Sequence, residues 1–461
     1  MLKKSLLAAV AVAARLGGVA AEAKTTLVYA ARVITDPDKP SLGPSTVTVT
    51  DGRIMTIEPG RAAAPAGADV IDLGDKTLLP GLIDLHVHLT GDPGGDFRNE
   101  AVDPDEWGVV VGVKNAAITL RAGFTTVREA GSAQYTAFSL RRGTGEGLIE
   151  GPRIVAAGVP LSIIGGHGDV TGFREDVHAI LDQGYTCTGA VECAEKVRKA
   201  SRAGADVIKI TATGGVLSQQ GRGLGAHFSN DELVSIADTA HSLGLKVMAH
   251  AHGERGIEAA AAAGIDSIEH GTFADDAALK VMKAKGTYLV PTLMAFEGVR
   301  ERLGKGIYTP TVEEKVRMTL GRVGQAVTRA KALGVPIAFG TDAGVFEHGR
   351  NAGEFALLVK AGLTPREALA SATTTAARLL SMENEIGRIA PGMSADMIAV
   401  DGDPLGDVTT LEHVRWVMAR GRHGAGVERR QFERGERAGL NDRLGGIGRG
   451  SPPVHGLVAD I

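Results

Sequence analysis

From about Leu78 to Leu380 the chain repeats a two-part pattern, in which a short apolar or β-branched run alternates with an alanine-rich stretch of helical spacing. Eight runs fit a strand: GLIDLHVHL (81–89), GFTTVRE (123–129), RIVAAG (153–158), ADVIKITA (205–212), LKVMAHAHG (245–253), IDSIEHG (265–271), TYLVPT (287–292) and VPIAFGTDAG (335–344). Most follow a helical stretch that ends near glycine, as in RAGADVIKI and KALGVPIAFG. Eight such units in about 300 residues predict an α/β fold, a (β/α)8 TIM barrel over residues 78–380 with its active groups at the C-terminal ends of the strands.

The flanks follow a different rhythm. Residues 24–77 alternate in strand fashion (TTLVYAARVITD, STVTVTDGRIMTIEP), and residues 381–420 resume that pattern (MIAV, VRWVMARG). The two strand-rich ends are expected to meet as one small β-sandwich domain. Residues 421–461 are glycine-rich and poor in apolar side chains, which predicts an irregular tail.

Residues 1–23 pair Lys3 and Lys4 with an apolar run, Leu6–Ala14, and a small-x-small end at Ala21-Glu22-Ala23. This is the layout of a secretory signal cleaved after Ala23, and it predicts a secreted or periplasmic protein. The apolar run falls short of the roughly 20 residues that span a bilayer, so no stable membrane span is expected. Cleavage would remove three cations and one anion, taking the net charge from −4 to −6. Neither value suggests nucleic acid as a partner, and no basic run traces a polyanion groove. The composition, 44% hydrophobic and 23% charged, is that of a globular chain, free to associate as a homo-oligomer. Cys187 and Cys193 are six residues apart, a spacing that allows a small disulfide loop in an oxidising compartment or two separate thiols.

The chemistry is written at the strand ends. Asp84, His86 and His88 alternate along the first strand and share a face, opposite Ile83, Leu85, Val87 and Leu89. Lys209, His250, His252, His270 and Asp342 end later strands, where a generic barrel would carry branched aliphatics. Any one of these histidines alone reads as a hydrogen-bonded core residue. Five histidines with a carboxylate at strand ends instead read as a site for zinc or a similar divalent ion, with an open position that generates hydroxide near neutral pH. A cationic lysine beside metal ions would be expelled, so Lys209 is expected to be neutral or converted to a carbamate. Asp84 is expected to hydrogen-bond below the histidines rather than ligate, and Glu269 to form a structural ion pair on the opposite face of its strand. The glycine runs lack the pattern of a nucleotide loop.

The motifs GLIDLHVHL, ADVIKI, HAHG, IEHG and GTDAG together resemble the metal-dependent amidohydrolase superfamily over about residues 25–420. GGHGD after the third strand, IKITATGGVLS, and the stretch from HAHG to IEHG are similar to its prolidase-like branch. Members of that branch remove C-terminal amino acids from dipeptides and N-acyl amino acids, and include ochratoxin-hydrolysing amidases. The resemblance implies that His86, His88 and Asp342 bind a first metal and His250 and His270 a second. A CO2-derived carbamate on Lys209 bridges the two ions, and zinc is the expected metal. Spacing alone does not choose between His250 and His252 as ligand; the resemblance favours His250 and frees His252 for the substrate. The implied reaction is attack of a metal-bridging hydroxide on the amide carbon, with Asp342 passing the proton to the departing amine. His167 in the GGHGD loop and His252 would donate to the oxyanion or the substrate carboxylate, and Arg222 in SQQGRG would clamp a terminal carboxylate. Two alternatives share the same ligands: hydrolysis of a hydantoin-like or imidazolone-like cyclic amide, and a non-catalytic metal-binding barrel.

Overall fold

A computed structural model describes residues 24–94, 102–133, 135–171, 173–218 and 223–423. The signal-like segment 1–23, most of the 421–461 tail and Arg222 lie outside the described residues. No described helix is long and apolar enough to cross a membrane.

The fold is mixed α/β with parallel, TIM-barrel-like sheets. Leu82–Val87 pairs in parallel with Phe124–Glu129, which pairs with Arg153–Ala156. A second parallel set runs from Val207–Thr211 through Lys246–Ala251 and Ser267–His270 to Tyr288–Val290. Backbone bonds join the sets on one side, from Asp206 N–H to the Ala156 carbonyl (2.9 Å) and from Leu161 N–H to that of Lys209 (2.8 Å). On the other side, Leu289 N–H donates to the Pro336 carbonyl (2.9 Å) and Asp342 N–H to that of His86 (2.7 Å). Every residue of Leu82–Val87 and of Val207–Thr211 is buried, as expected of strands covered on both faces.

The segment 335–344, expected to be an eighth strand, is not a continuous one. It joins its neighbours through scattered backbone bonds and two isolated bridges, Leu289 with Ile337 and Val87 with Ala343, rather than through a ladder. Pro336 lacks a ladder donor, and Asp342 adopts a left-handed conformation (φ 61°) that no β-ladder accommodates. The expected helices fill the intervals between strands. Helix Gln325–Leu333, for example, stops at Gly334 in the left-handed conformation (φ 74°), a cap that glycine adopts without Cβ strain.

The flanking segments form two sheets. One orders Arg53–Pro59, Ser45–Thr50, Thr25–Ala30 and Asp69–Asp72. The other joins both flanks of the chain, because Thr77–Pro80 pairs antiparallel with Met397–Val400, which in turn pairs with Val414–Ala419. One apolar cluster, including Val28, Val47, Ile54, Leu78, Met397 and Trp416, draws from both sheets. Burial of that cluster holds the distant flanks together. Cys187 and Cys193, left open by the sequence, are joined as a disulfide.

Candidate metal centre

Two groups of potential ligands converge at the strand ends. His86, His88 and Asp342 form one, and His250, His252 and His270 the other; within each, the ligand atoms lie within 4.8 Å of one another. All six residues are buried. The rings of His86 and His270 are 5.2 Å apart between centroids, so the two groups adjoin.

The backbone presents these side chains at a cost. His270 (φ 67°), Thr292 (φ 49°) and Asp342 (φ 61°) are non-glycine residues in the left-handed region, each worth on the order of 1–3 kcal/mol of strain. Packing over-determines the arrangement. A Cβ on Gly344 would meet the His88 Cβ at 2.9 Å and its carbonyl oxygen at 3.2 Å, so only glycine lets the Asp342 segment lie against His88.

Each ring nitrogen facing away from the centre is tethered, which fixes the other one. His86 Nδ1 meets Glu269 at 2.9 Å, His88 Nδ1 meets the Gly131 carbonyl at 3.0 Å, and His270 Nδ1 meets the Thr292 hydroxyl at 2.7 Å. His250 is tethered through Nε2, 3.3 Å from the Gly214 carbonyl, so its Nδ1 faces inward. His252 Nδ1 lies 2.8 Å from the Thr272 hydroxyl. His250 Nδ1, His270 Nε2 and both oxygens of Asp342 are buried without a hydrogen-bond partner. Leaving that many acceptors unsatisfied is expensive, and divalent ions on them remove the cost, so the donor set fits metals.

The electrostatics agree. Burial drives His250 and His270 well below the ordinary imidazole range, and takes His167 and His252 down to about 3, so these rings are neutral. Burial would raise Asp342, but the neighbouring His86 and His88 hold its carboxyl below the usual range. Asp342 Oδ1 is 3.3 Å from His88 Nε2. Lys209 is 1% exposed, and burial pushes its ammonium down to about 8 against the pull of Glu269 and Asp342. A neutral amine is therefore within reach at mildly alkaline pH, as carbamate formation requires.

The structure brings His86, His88, Lys209, His250, His252, His270, Asp342 and His167 to one region. The His167 ring lies tilted against that of His250, 4.3 Å between centroids, and bonds Ser218 through Nδ1. His252, assigned to the substrate rather than to a metal, has a ring nitrogen within 4.8 Å of the ligand atoms of His250 and His270. Asp84 accepts from the His86 and Thr341 amides (both 3.1 Å), the Thr341 hydroxyl (2.6 Å) and Asn351 (2.8 Å), the supporting role expected of it. Glu269 does form the expected ion pair, with Arg128 at 2.8 Å, but it also anchors His86.

Sequence reasoning missed Arg128, Glu129, Thr272, Thr292 and Lys315. Glu129 ends the second strand, and burial raises its carboxyl to about 7. Lys315 donates to the carbonyls of Gly215 (2.8 Å) and Ser218, pinning the loop under His167. Glu129 had a detectable signal, a carboxylate at a predicted strand end; the others had none.

The Amidohydrolase family profile matches residues 77–423. The chain belongs to the amidohydrolase family. It is 30% identical to the ochratoxinase of Aspergillus niger over 422 residues, 86% of this chain and 85% of that protein. A crystal structure of a Xaa-Pro dipeptidase with methionine bound in the active site superposes with a TM-score of 0.81, at 36% identity, covering 87% of this chain and all of that one. An imidazolonepropionase of Ruegeria sp. is 27% identical over 381 residues, 74% of this chain and 83% of that protein. This amidohydrolase is of the prolidase-like type, a hydrolase acting on amide bonds of small molecules.

Proposed function

We propose that this amidohydrolase cleaves the amide bond to a C-terminal amino acid in dipeptides and N-acyl amino acids, ochratoxin-type phenylalanine amides among them. The observation that carries the reading is the pair of adjoining ligand groups with inward-facing acceptors that lack partners. The similarity to a Xaa-Pro dipeptidase and to an ochratoxinase supports the substrate class.

His86, His88 and Asp342 would hold one divalent ion and His250 and His270 the second, with carbamylated Lys209 between them; zinc suits the imidazole and carboxylate donors. When bound, such ions supply a water acidic enough to act as nucleophile at neutral pH and polarise the amide carbonyl. Asp342, buried but held ionised, takes the proton of the attacking water and delivers it to the amine nitrogen as the C–N bond breaks. With its Nδ1 accepting from Thr272, neutral His252 carries its proton on Nε2 and donates to the oxyanion; His167 serves the oxyanion or the substrate carboxylate. The tethered rings supply orientation, so little reorganisation is needed during the reaction.

The linked parallel sets support a closed (β/α)8 barrel over residues 78–380, and the two-sheet apolar cluster supports a small sandwich from 24–77 and 381–420. The Cys187–Cys193 disulfide and the 1–23 segment support residence in a secreted or periplasmic setting.

A second reading, ring opening of an imidazolone-like cyclic amide, is favoured by the imidazolonepropionase similarity. A panel of dipeptides, N-acyl amino acids and cyclic amides, offered to metal-loaded and chelated protein, tests both. Metal-dependent release of a free amino acid supports the proposal. Turnover restricted to the cyclic amides would replace it with the second reading.

A further inference from the structure

A cavity of about 650 Å³ opens beside the metal centre on the side of the first three parallel strands. His88, His167 and Thr211 reach it from the centre, whereas His250, His252 and His270 do not line it. Away from the centre its wall includes a group of apolar side chains, Val102, Trp107, Val159, Val170 and Ile180, set among polar ones. Three of these are unusually open for large apolar side chains: Val102 is 76% exposed, Trp107 54% and Ile180 77%. Apolar side chains around a concavity that leads to reactive groups are the ordinary signature of a ligand site, where a bound apolar group removes them from water. None of them has a part in the amide chemistry above.

The charges of the cavity decide which part of a substrate enters. Asp103, Asp105, Asp169 and Asp182 line it, and no lysine or arginine does among the described residues. Asp169 is built in, 7% exposed, with its oxygens accepting from the Gly165 (2.6 Å) and Val170 (2.8 Å) amides. The other three carboxylates sit at the exposed rim. An N-acyl amino acid has two halves, and the amino-acid half always carries a carboxylate. That half meets like charge in this cavity, and the acyl half, which can be uncharged and apolar, does not.

We propose that this cavity is the acyl-group subsite, selecting bulky, apolar, ring-bearing acyl groups against small ones and rejecting acyl groups that carry a carboxylate. The inference rests on the reading that the centre cleaves amides of C-terminal amino acids. Trp107 is its principal selecting residue, because it offers an open aromatic face to a planar acyl ring.

The test compares kcat/KM of the metal-loaded enzyme for the N-acetyl, N-(2-naphthoyl), N-succinamoyl and N-succinyl derivatives of one amino acid. The last two share a shape and differ by one negative charge. The naphthoyl compound is expected to exceed the acetyl compound at least about tenfold, and the succinamoyl compound to exceed the succinyl one by a similar factor. Trp107→Ala is expected to bring the naphthoyl-to-acetyl ratio toward one. Equal values across the four compounds would overturn the subsite. A calorimetric titration with 2-naphthamide, which contains no amino acid, separates this proposal from the cleavage reading. Binding that weakens in Trp107→Ala, without turnover of any derivative, keeps the subsite and sinks the cleavage reading; no binding to a protein that turns over the panel does the reverse.

Discussion

His86 Nδ1 and a carboxylate oxygen of Glu269 lie 2.9 Å apart, with both side chains fully buried. Burial would raise the Glu269 carboxyl, but the Arg128 charge, with His86 and Ser267, holds it below its ordinary range. An ionised Glu269 can only accept, so the His86 proton sits on Nδ1 and Nε2 is left as a lone-pair donor toward Asp342, 3.7 Å away. Glu269→Gln can hydrogen-bond without imposing that tautomer. Its zinc affinity, titrated against a chromophoric chelator, is expected to fall about 10- to 100-fold. An unchanged affinity would mean that the contact only fills space.

Arg128 lies one step further out, donating to the Leu85 carbonyl (2.6 Å), to Ser267 (3.1 Å) and to Glu269 (2.8 Å) from a side chain that is 2% exposed. Arg128→Met strands the Glu269 charge in the interior. Denaturant unfolding is expected to show a loss of about 3–5 kcal/mol, part of it recovered in the Arg128→Met/Glu269→Gln double variant. Additive losses in the double variant would argue against a coupled pair.

How much of this was legible in the sequence follows from the range over which each signal acts. Strand alternation and the strand-end position bring His86, His88, His250, His252 and His270 to one region, the preference for His250 over His252 as ligand coming from the family resemblance, and Asp84 is legible as a supporting group on the same strand. The His86–Glu269 contact spans 183 residues, and the sequence offers no local trace of it. Glu269 was expected on the far face of its strand as an ion-pair member, and only the three-dimensional register shows that His86 reaches it. The apolar run of 335–344 reads as a strand, and the left-handed conformation of Asp342 that interrupts it leaves no trace in that pattern. Thr292 reads from the sequence as the last residue of the TYLVPT strand, whereas its left-handed conformation aims its hydroxyl at His270.

Gly215 lies under His167, and a Cβ there would come within 2.2–2.6 Å of three ring atoms. Gly215→Ala is therefore expected to displace the imidazole and to lower kcat/KM by on the order of tenfold to a hundredfold, with the bound metal count unchanged. Full activity with a well-folded variant would remove His167 from the reaction.

Glu354 supplies a pH signature. Its oxygens accept from the Leu293 (2.9 Å) and Met294 (2.6 Å) amides, yet burial raises its carboxyl from 4.5 to about 8. A folded-state value above the unfolded one means that the folded protein binds the extra proton, so this stabilisation is complete below about pH 4.5 and is lost as the pH rises through 8. The urea midpoint of the parent protein is expected to fall more steeply from pH 5 to pH 8.5 than that of Glu354→Gln. Parallel profiles would show that Glu354 does not titrate in this interval.

The central claim is that the bond broken joins an acyl carbon to the nitrogen of an amino acid, with the centre around Asp342 doing the work. Hydrolysis of a dipeptide or N-acyl amino acid in H2(18)O, followed by mass spectrometry of both products, tests this directly. The account predicts one 18O atom in the acyl carboxylate and an unlabelled amino acid, with both products lost on chelation and reduced about 100- to 10,000-fold in Asp342→Asn. Products that persist undiminished in Asp342→Asn, or that form equally in the chelated protein, would contradict it.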